Sequence, residues 1–438
     1  MMVSLTSSLQ RNISPSTVPD MTSAALASTS ARWGQSIDIA NTLFASVMLF
    51  ILMAIAHIVI REPAPYDLLL IATAGILLTL GMRIPAGAAL PFGLLALVLC
   101  GYMIGGTNAR YIDLSIKFLQ TSTYLTLTFV FFTAVVTASP DRALKALWGG
   151  YIFAGLCAAA LGIGAYMSVI PNSEILLGSS RAKALVEDPN VYGPFLVPPI
   201  LYAIWRMTTR GVGPALFFWG PIATFIALGL FLSFSRGAWL HLILSAGVFA
   251  ILTSMAPESR GQRRRIAMIT VLLGIMFTLA IGWAITIPEV RDLLEQRLGL
   301  QSYDTREGGR FSGQFEALKM AMTYPFGIGP NNWGMLAGQD THNVYLNVFV
   351  GGGFISLVGL VGAFGLTLVR GFRYAMNGPR RGVFIVAFAS FIGLIAEAII
   401  IDINHWRHLY VLMGMIWGLM LAAPPAGWTL SANKTGRV

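Results

Sequence analysis

DIANTLFASVMLFILMAIAHIVI, at residues 38–60, is the stretch that decides the fold class. Its only formally charged residue is Asp38, at the first position, and Ala, Ile, Leu, Met, Phe and Val dominate the rest. An α-helix rises about 1.5 Å per residue, so about 20 apolar residues cross the roughly 30 Å hydrocarbon layer of a bilayer. The stretch therefore predicts a transmembrane helix.

Eleven more apolar stretches follow along the chain. They lie near residues 66–82, 84–106, 118–139, 145–170, 190–207, 214–232, 237–255, 267–287, 342–369, 382–401 and 407–424. The chain is 56% hydrophobic and 11% charged, whereas soluble domains are about 25% charged. Because so few polar groups cannot cover a soluble protein of this size, we predict an all-α fold, a polytopic transmembrane helical bundle of about 12 spans.

The apolar stretches divide the chain into five segments. Residues 1–36 are rich in Ser and Thr and predict a disordered inner tail. Spans one to nine are predicted within 37–287 and spans ten to twelve within 342–424, separated by a large, partly helical outer loop at 288–341; residues 425–438 form a second inner tail. The first apolar run is long and lacks a small-residue cleavage site, so we expect an anchor rather than a cleavable signal peptide.

The net charge of +10 is unevenly distributed over the predicted loops. With the N-terminus inside, 17 of the 29 Lys and Arg residues lie on the inner side, while most acidic residues lie on the outer side. This positive-inside asymmetry supports an even number of spans with both termini inside. The basic excess therefore reflects membrane orientation and contact with anionic lipid head groups, not nucleic-acid binding.

Three arginines on the predicted outer face are candidate anion ligands. Arg181 and Arg310 lie in outer segments, where they are either binding residues or ordinary solvated charges. Arg236 lies between two apolar spans with almost no loop around it, so we expect it to be buried near the interface, paired or ligand-bound. Glu187 and Asp188 are candidate structural partners.

The outer segment at 288–341 carries two apolar stripes at helical spacing, which predict two short helices lying on the membrane or packed on the bundle. The stripes consist of Val290, Leu293, Leu294 and Leu298, and of Phe311, Phe315, Leu318 and Met322. The second helix begins at Gly308-Gly309-Arg310, where free backbone N–H groups beside an arginine favour anion binding.

Four strings carry a family resemblance. They are RAKALVEDPN (181–190), SFSRGAW (233–239), GGRFSGQFEALKMAMTYPFGIGPNNW (308–333) and THNVYLNVFVGGG (341–353). In this order, all on the predicted outer face, they resemble the O-antigen ligase and O-antigen polymerase superfamily of bacterial membrane glycosyltransferases, which includes exopolysaccharide polymerases. The match covers roughly residues 181–420. Ala184 stands where that family usually has a glycine.

The resemblance implies a GT-C-like enzyme of the bacterial inner membrane, with the outer loops in the periplasm and both termini in the cytoplasm. Such enzymes move a glycan from an undecaprenyl-pyrophosphate carrier to an acceptor hydroxyl of another glycan or of a lipid A-core. Arg181, Arg236 and Arg310 are the matching pyrophosphate-binding candidates, because the planar guanidinium binds phosphate oxygens bidentately. His342 is the candidate general base, since a neutral imidazole suits that task near pH 7.

The remaining expectations concern supporting residues and metals. Asn190 and Asn343 are assigned supporting roles at the site. Related lipid-dependent glycosyltransferases carry an acid in the first outer loop, where this chain has Glu62 and Asp67, although the ligase family does not rely on them. We expect no metal and no cofactor, because the outer loops lack Asp-x-Asp and His-x-x-x-His motifs. The two cysteines, Cys100 and Cys157, fall inside predicted spans and imply no disulfide.

Other functions stay open at this point. Within the glycosyltransferase hypothesis, the Asp-Pro-Asn-Val-Tyr-Gly-Pro-Phe string resembles exopolysaccharide polymerisation relatives at least as much as ligases. This resemblance slightly favours a polymerase over a ligase. The alternatives are an anion or small-solute transporter, and a non-catalytic partner in polysaccharide export. A transporter requires charged residues in the middle of spans, and Glu397 is the clear candidate. A non-catalytic role predicts that Arg310 and His342 are dispensable.

Overall fold

The computed structural model describes residues 43–209, 212–255, 260–298 and 309–423. The predicted tails at 1–36 and 425–438 lie outside these residues, as does the middle of the outer loop at 299–308. Each of the 12 apolar stretches contains a helix. The helices are α1 (Leu43–Ile55), α2 (Pro65–Thr79), α3 (Ala89–Gly106), α4 (Ile112–Ala138), α5 (Pro140–Tyr166), α6 (Pro189–Thr209), α7 (Val212–Phe231), α8 (Arg236–Met255), α9 (Arg260–Ala284), α10 (Pro288–Leu298), α11 (Arg310–Thr323), α12 (Trp333–Ala337), α13 (Val344–Asn377), α14 (Arg381–Glu397) and α15 (Arg407–Ala422).

Six helices within the described residues are long and apolar enough to cross a membrane. They occupy Ala86–Gly106, Ile112–Ala138, Pro140–Tyr166, Gly213–Phe231, Arg236–Met255 and Val344–Asn377. Leu43–Ile55, Pro65–Thr79 and Arg407–Ala422 are shorter apolar helices. The prediction of a helical, multi-pass membrane protein is confirmed, and the count of 12 spans and the GT-C-like arrangement stay predictions.

Three of the most extensive helix pairs join elements that are distant in sequence. Helix α13 packs on α3, α15 packs on α4, and α14 packs on α8. Glycine allows a close approach between α3 and α13, since a Cβ on Gly101 would lie 2.6 Å from the Gly352 carbonyl oxygen. The fold therefore brings the ends of α8, α13 and α14 into one neighbourhood.

The segment PFGIGP (325–330) forms hydrogen bonds with the backbone at a break in α13. Gly353 has a φ of +66°, a left-handed conformation that interrupts the helix. Beside the break, the N–H groups of Ile328 and Gly329 donate to the carbonyl oxygens of Val350 and Gly351, at 2.9 and 3.1 Å. The Phe354 N–H donates to the Pro325 carbonyl oxygen at 3.0 Å. This segment therefore satisfies backbone groups that the break would leave unpaired inside the membrane protein.

Both short helices predicted in the outer loop are present, as α10 and α11. On α11, Ala317 and Ala321 are buried against a cluster that includes Trp333 and Phe349. The apolar stripe of α11 is exposed instead; it consists of Phe311, Phe315, Leu318 and Met322, which are 41–61% exposed. The helix thus packs on the bundle through alanines and presents its large apolar side chains away from the described protein.

A hairpin of two short β-strands lies shortly before the start of α6. Strands β1 (Leu177–Gly178) and β2 (Arg181–Ala182) pair antiparallel, with Gly178 opposite Arg181. Ser179 and Ser180 between them both have positive φ, as a tight hairpin turn requires. The hairpin fixes the position of Arg181 relative to the helices.

Candidate functional site

The first part of the candidate site is the break between α7 and α8, at SFSRGAW. Phe234 has a φ of +47°, which reverses the chain between the two helices. The Ser235 hydroxyl accepts a hydrogen bond from the Ala238 N–H at 3.3 Å and so caps α8. Arg236 is consequently the first residue of α8, half-buried, where the helix dipole leaves positive charge.

Arg181 is held against this break. Its Nε donates to the Ser233 carbonyl oxygen at 2.7 Å, and its Nη2 donates to Asn190 Oδ1, also at 2.7 Å. The Ala182 N–H donates to the Leu232 carbonyl oxygen at 2.9 Å. Arg181 is 8% exposed, so it is a buried, positioned guanidinium and not a solvated loop charge. Backbone and side-chain bonds thus bring the SFSRGAW and RAKALVEDPN strings together.

The spacing between Arg181 and Asn190 follows from this geometry. Asp188 Oδ1 accepts a hydrogen bond from the Asn190 N–H at 2.6 Å, which fixes Asn190 at the start of α6. The Asn190 side chain then reaches back to the arginine across the loop. The supporting position predicted for Asn190 is therefore a direct contact with Arg181.

A buried acid connects the start of α8 to the end of α14. Glu397 is the last residue of α14 and is fully buried. Its Oε2 lies 3.1 Å from Nδ1 of His241, at ion-pair distance without hydrogen-bond alignment. His241 Nε2 lies 3.0 Å from the Ser390 carbonyl oxygen. A Cβ on Gly237 would lie 2.6 Å from Glu397 Oε1, so a glycine beside Arg236 allows this contact.

His342 lies at the second part of the candidate site, directly before α13. Its φ is +46°, a left-handed conformation, and the residue is exposed. Thr341 before it is buried, and its hydroxyl donates to the Asn343 carbonyl oxygen at 3.1 Å. Asn343 caps α13, since its Oδ1 accepts from the Leu346 N–H at 3.1 Å. The observed contact of Asn343 is thus structural, because it stabilises the turn that carries His342.

Helix α11 places its first turns beside His342. Arg310 is the first residue of α11, and its side chain lies outside the described part of the structure. One turn later, Gln314 Nε2 donates to the Thr341 carbonyl oxygen at 3.0 Å. The backbone of Arg310 is thereby placed near the turn that carries His342.

The segment after α14 links the two parts. The Val344 N–H donates to the Ala398 carbonyl oxygen at 2.9 Å. Glu397, the residue before Ala398, packs against Gly237. A short chain of contacts therefore runs from Arg236 to His342 through residues 397 and 398. The fold brings the sequence-predicted residues to one end of the bundle, with Arg181 and Arg236 on one side and His342 on the other.

The two acids of the predicted first outer loop have structural contacts. Arg407 binds the carboxylate of Asp67 bidentately, at 2.7 and 2.6 Å. The Tyr124 hydroxyl and the Ala64 N–H also donate to Asp67. Glu62 accepts from Arg407 at 3.2 Å. Asp67 is thus fully engaged in joining α2 to the start of α15, which explains its presence without a catalytic role.

Sequence reasoning did not find a set of polar residues near the start of α13. Asn347, Asp402 and Asn404 form a closed hydrogen-bonded triangle near the starts of α13 and α15. Asp and Asn residues at these positions form no recognisable sequence motif. The pairing of residues 347 and 402, which are 55 positions apart, depends on the tertiary fold. Within the described residues, no group of three or more His, Cys, Asp or Glu is arranged to hold a metal ion.

The helices and one comparison with known proteins define the class of this chain. It is a helical, multi-pass membrane protein. Residues 221–361 match the family model described as O-antigen ligase, and this match confirms the resemblance to the O-antigen ligase and polymerase superfamily. The matched segment runs from α7 into α13 and contains Arg236, Arg310 and His342, whereas Arg181 precedes it. No match to this chain is found among curated proteins.

Proposed function

We propose that this protein is a metal-independent membrane glycosyltransferase that moves a glycan from an undecaprenyl-pyrophosphate carrier to an acceptor hydroxyl at the periplasmic face. The observation that carries the proposal is the pairing of a buried Arg181 with the helix break that begins at Ser233 and ends at Arg236. Two guanidinium groups and a helix N-terminus at one site suit a pyrophosphate. The family comparison supports a membrane enzyme that processes glycans.

An apolar groove near the arginines suits the lipid part of such a donor. The groove has a volume of about 310 Å³ and lies among α6, α7, α8 and α9. Its lining includes Leu201, Phe231 and Phe249. Phe231 is two residues before Ser233, so the outer end of the groove lies close to the Arg181 contact. A polyprenyl chain would fill the groove while its pyrophosphate contacts the arginines.

The transfer step needs a nucleophile and a leaving group. In the proposed reaction, the acceptor hydroxyl oxygen attacks the anomeric carbon of the donor glycan, and His342 accepts the hydroxyl proton. The bond from the anomeric carbon to the pyrophosphate oxygen breaks, and the carrier pyrophosphate departs with the electron pair. Arg181, Arg236 and Arg310 would stabilise that departing charge, which is the work a metal ion performs in other phosphate-transferring sites.

Metal independence has a direct test. Purified protein in detergent would be given undecaprenyl-pyrophosphate-linked repeat units and an acceptor, with and without excess EDTA. We expect equal transfer in both samples. Complete loss of transfer in EDTA, restored by Mg²⁺ or Mn²⁺, would refute the proposed role of the arginines as the sole cations at the pyrophosphate.

The orientation of the site is tested by labelling. In a variant lacking both native cysteines, we expect Glu174→Cys to react with an impermeant thiol reagent in intact spheroplasts and Asn377→Cys to react only after lysis. Both residues are exposed, on the segment before α6 and at the end of α13. The opposite pattern would place the arginines and His342 in the cytoplasm and exclude a periplasmic reaction.

Polymerase and ligase activities differ in the polysaccharide of a deletion strain. Single repeat units without long chains are expected of a lost polymerase, which we favour slightly, whereas loss of all lipid A-linked glycan is expected of a lost ligase. The transporter alternative is less well supported, because Glu397 lies at the end of α14 beside His241 and not in mid-span.

A further inference from the structure

A second cavity lies between the start of α13 and the segment that precedes α15, and its lining includes Asp340, two residues before His342. Its volume is about 200 Å³. All eight lining residues have an amide, carboxylate, imidazole or aromatic side chain; they are Phe118, Asn331, Asp340, Asn347, Asp402, Asn404, His405 and Trp406. We name this cavity the polar cleft. A cavity without one aliphatic wall residue is unusual in a protein that is 56% hydrophobic.

The polar groups of the cleft are fixed and retain bonding capacity. Asn347 Nδ2 donates to Asp402 Oδ2 at 2.9 Å, and Asn404 Nδ2 donates to Asp402 Oδ1 at 3.0 Å and to Asn347 Oδ1 at 3.1 Å. Each Asp402 oxygen has a further lone pair, Asn404 Oδ1 accepts no described bond, and Asn347 has a second N–H. The cleft thus offers fixed acceptors and donors together, as a hydroxylated ligand requires.

Aromatic groups form one wall of the cleft. Phe118 packs against His405 in a tilted arrangement with ring centroids 4.1 Å apart, and His405 Nε2 lies 3.1 Å from the Ser122 hydroxyl. Trp406 is buried beside them. Flat apolar faces next to planar polar groups suit a sugar ring, which presents C–H groups on its faces and hydroxyls around its edge.

A further cavity shares His405 and Trp406 and extends away from the polar cleft. It has a volume of about 270 Å³ and is also lined by Tyr66 and His408. Both residues are buried, and within the described residues the Tyr66 hydroxyl and His408 Nε2 have no hydrogen-bond partner. Such groups are costly to bury unpaired, which indicates a polar ligand or water in this cavity. The two cavities together could hold more than one sugar.

We infer that the polar cleft is a carbohydrate-binding subsite for the acceptor glycan, with Asp402, Asn347 and Asp340 as hydroxyl ligands. Asp340 is two residues before His342, so a sugar in the cleft would present a hydroxyl near the candidate base. The assignment of the ligand as acceptor rests on the proposed function, whereas affinity of the cleft for carbohydrate does not.

A calcium ion is the other ligand that acids and amides could bind. The geometry favours the sugar, because Asn347 and Asn404 direct N–H groups, not carbonyl oxygens, at the Asp402 carboxylate. A cation needs oxygens that converge on one point. Burial and the nearby Asp340 raise the pKa of Asp402 to about 7, so its carboxyl is partly protonated at neutral pH, which favours a hydroxyl over a divalent cation.

Binding of carbohydrate by purified protein tests the subsite. The probes are oligosaccharides released by mild acid from the surface polysaccharide of the producing strain, followed by saturation-transfer NMR. We expect Asp402→Asn and Asp340→Asn each to weaken binding about tenfold, the loss of one hydrogen bond to a charged group. Asp113→Asn is the matched control, an exposed acid at the start of α4 outside the cleft, and should bind like wild type.

The outcomes separate the two proposals. Carbohydrate binding that is absent from wild type, or unchanged in both cleft variants, would overturn the subsite. Displacement of the oligosaccharide by Ca²⁺, with Ca²⁺ retained by wild type and lost by Asp402→Asn, would also overturn it in favour of a metal site. Binding that depends on Asp402, in a protein that transfers no glycan from the lipid-linked donor, would support the subsite and refute the proposed transferase.

Discussion

Arg181 and His342 lie at the same end of the bundle, but the fold holds them in opposite ways. Arg181 is 8% exposed and is fixed by hydrogen bonds of 2.7 Å to Ser233 and Asn190. His342 is exposed on a left-handed turn, directly before a capped helix. A buried and oriented guanidinium suits the binding of a fixed anion, while an exposed imidazole suits proton exchange with an incoming group. The comparison predicts that the two residues fail differently when they are changed.

The largest effect is expected at His342. His342→Ala should lower the rate of transfer by roughly 10²–10⁴-fold, the usual contribution of a general base, while donor binding stays close to wild type. The exposed residue is not expected to affect insertion or folding. Transfer would be measured with purified protein beside polysaccharide produced in cells. Normal polysaccharide from His342→Ala would remove the catalytic role and with it one side of the comparison.

A smaller effect is expected at Arg181. Arg181→Lys keeps the charge but loses the planar fork, so the lysine cannot keep both bonds, to Ser233 and to Asn190, and also bind the pyrophosphate as the arginine does. Donor affinity should fall by about 10- to 100-fold, since a hydrogen bond to a charged group contributes about 1.5–3 kcal/mol. Titration of the purified variant with undecaprenyl pyrophosphate measures this. Undiminished affinity in a folded variant would show that Arg181 is only a structural tie.

Asn190→Ala sharpens the comparison, because it removes the residue that orients Arg181 without changing any charge. It deletes the bond to Nη2 and leaves the bond from Nε to Ser233 in place. We expect donor affinity to fall by about tenfold or less. Asn172→Ala is the matched control, an exposed asparagine of the same loop between α5 and α6. A decrease in Asn190→Ala larger than that of Arg181→Lys would contradict the order proposed here.

The smallest effect concerns the pH dependence of protein stability, to which Asp402 and His405 of the polar cleft contribute. Asp402 has a pKa of about 7 instead of 3.8, so the protein loses stability as pH rises from about 4 to about 7. His405 has a pKa of about 4 instead of 6.5, lowered by burial and by Arg407, so the protein gains stability as pH rises from about 4 to about 6.5. The two slopes oppose each other in the wild type.

Of these two contributions to the change of stability with pH, only that of His405 remains in Asp402→Asn. The melting temperature of this variant should therefore rise more steeply between pH 4 and pH 6.5 than that of wild type. Thermal unfolding followed by size-exclusion chromatography in detergent provides the measurement, and Asp113→Asn should keep the wild-type profile. Parallel profiles for Asp402→Asn and wild type would show that Asp402 does not titrate in this range.

The sequence was informative where one local property determines the structure. Long apolar runs predict the helices. The lack of a loop around Arg236 predicts a buried charge, and the structure leaves that residue half-buried. The burial of Arg181 was not predictable, since its partners lie nine and 52 residues away and become neighbours only through the hairpin and the helix break.

The polar cleft and the Asp67–Arg407 pair show the same limit. Their side chains are 55 and 340 residues apart in the chain, and nothing in the local pattern distinguishes Asp402 from a surface acid. The PFGIGP string shows the converse case. It is part of the string that resembles the family and invites a functional interpretation, yet its observed contacts are structural. They are backbone bonds to the broken part of α13 and hydrogen bonds that the Gly327 and Pro330 carbonyl oxygens accept from Asn108 and Ser115.

The most direct test of the central claim is a donor titration of the transfer rate, carried out in parallel on Arg181→Lys and His342→Ala. If Arg181 binds the donor and His342 acts in the chemical step, excess donor should restore the rate of Arg181→Lys toward wild type and leave His342→Ala slow at every concentration. The KM should rise in the first variant and kcat should fall in the second. Rescue of His342→Ala by donor, with no rescue of Arg181→Lys, would contradict the assignment of binding to the buried arginine and of proton transfer to the exposed histidine.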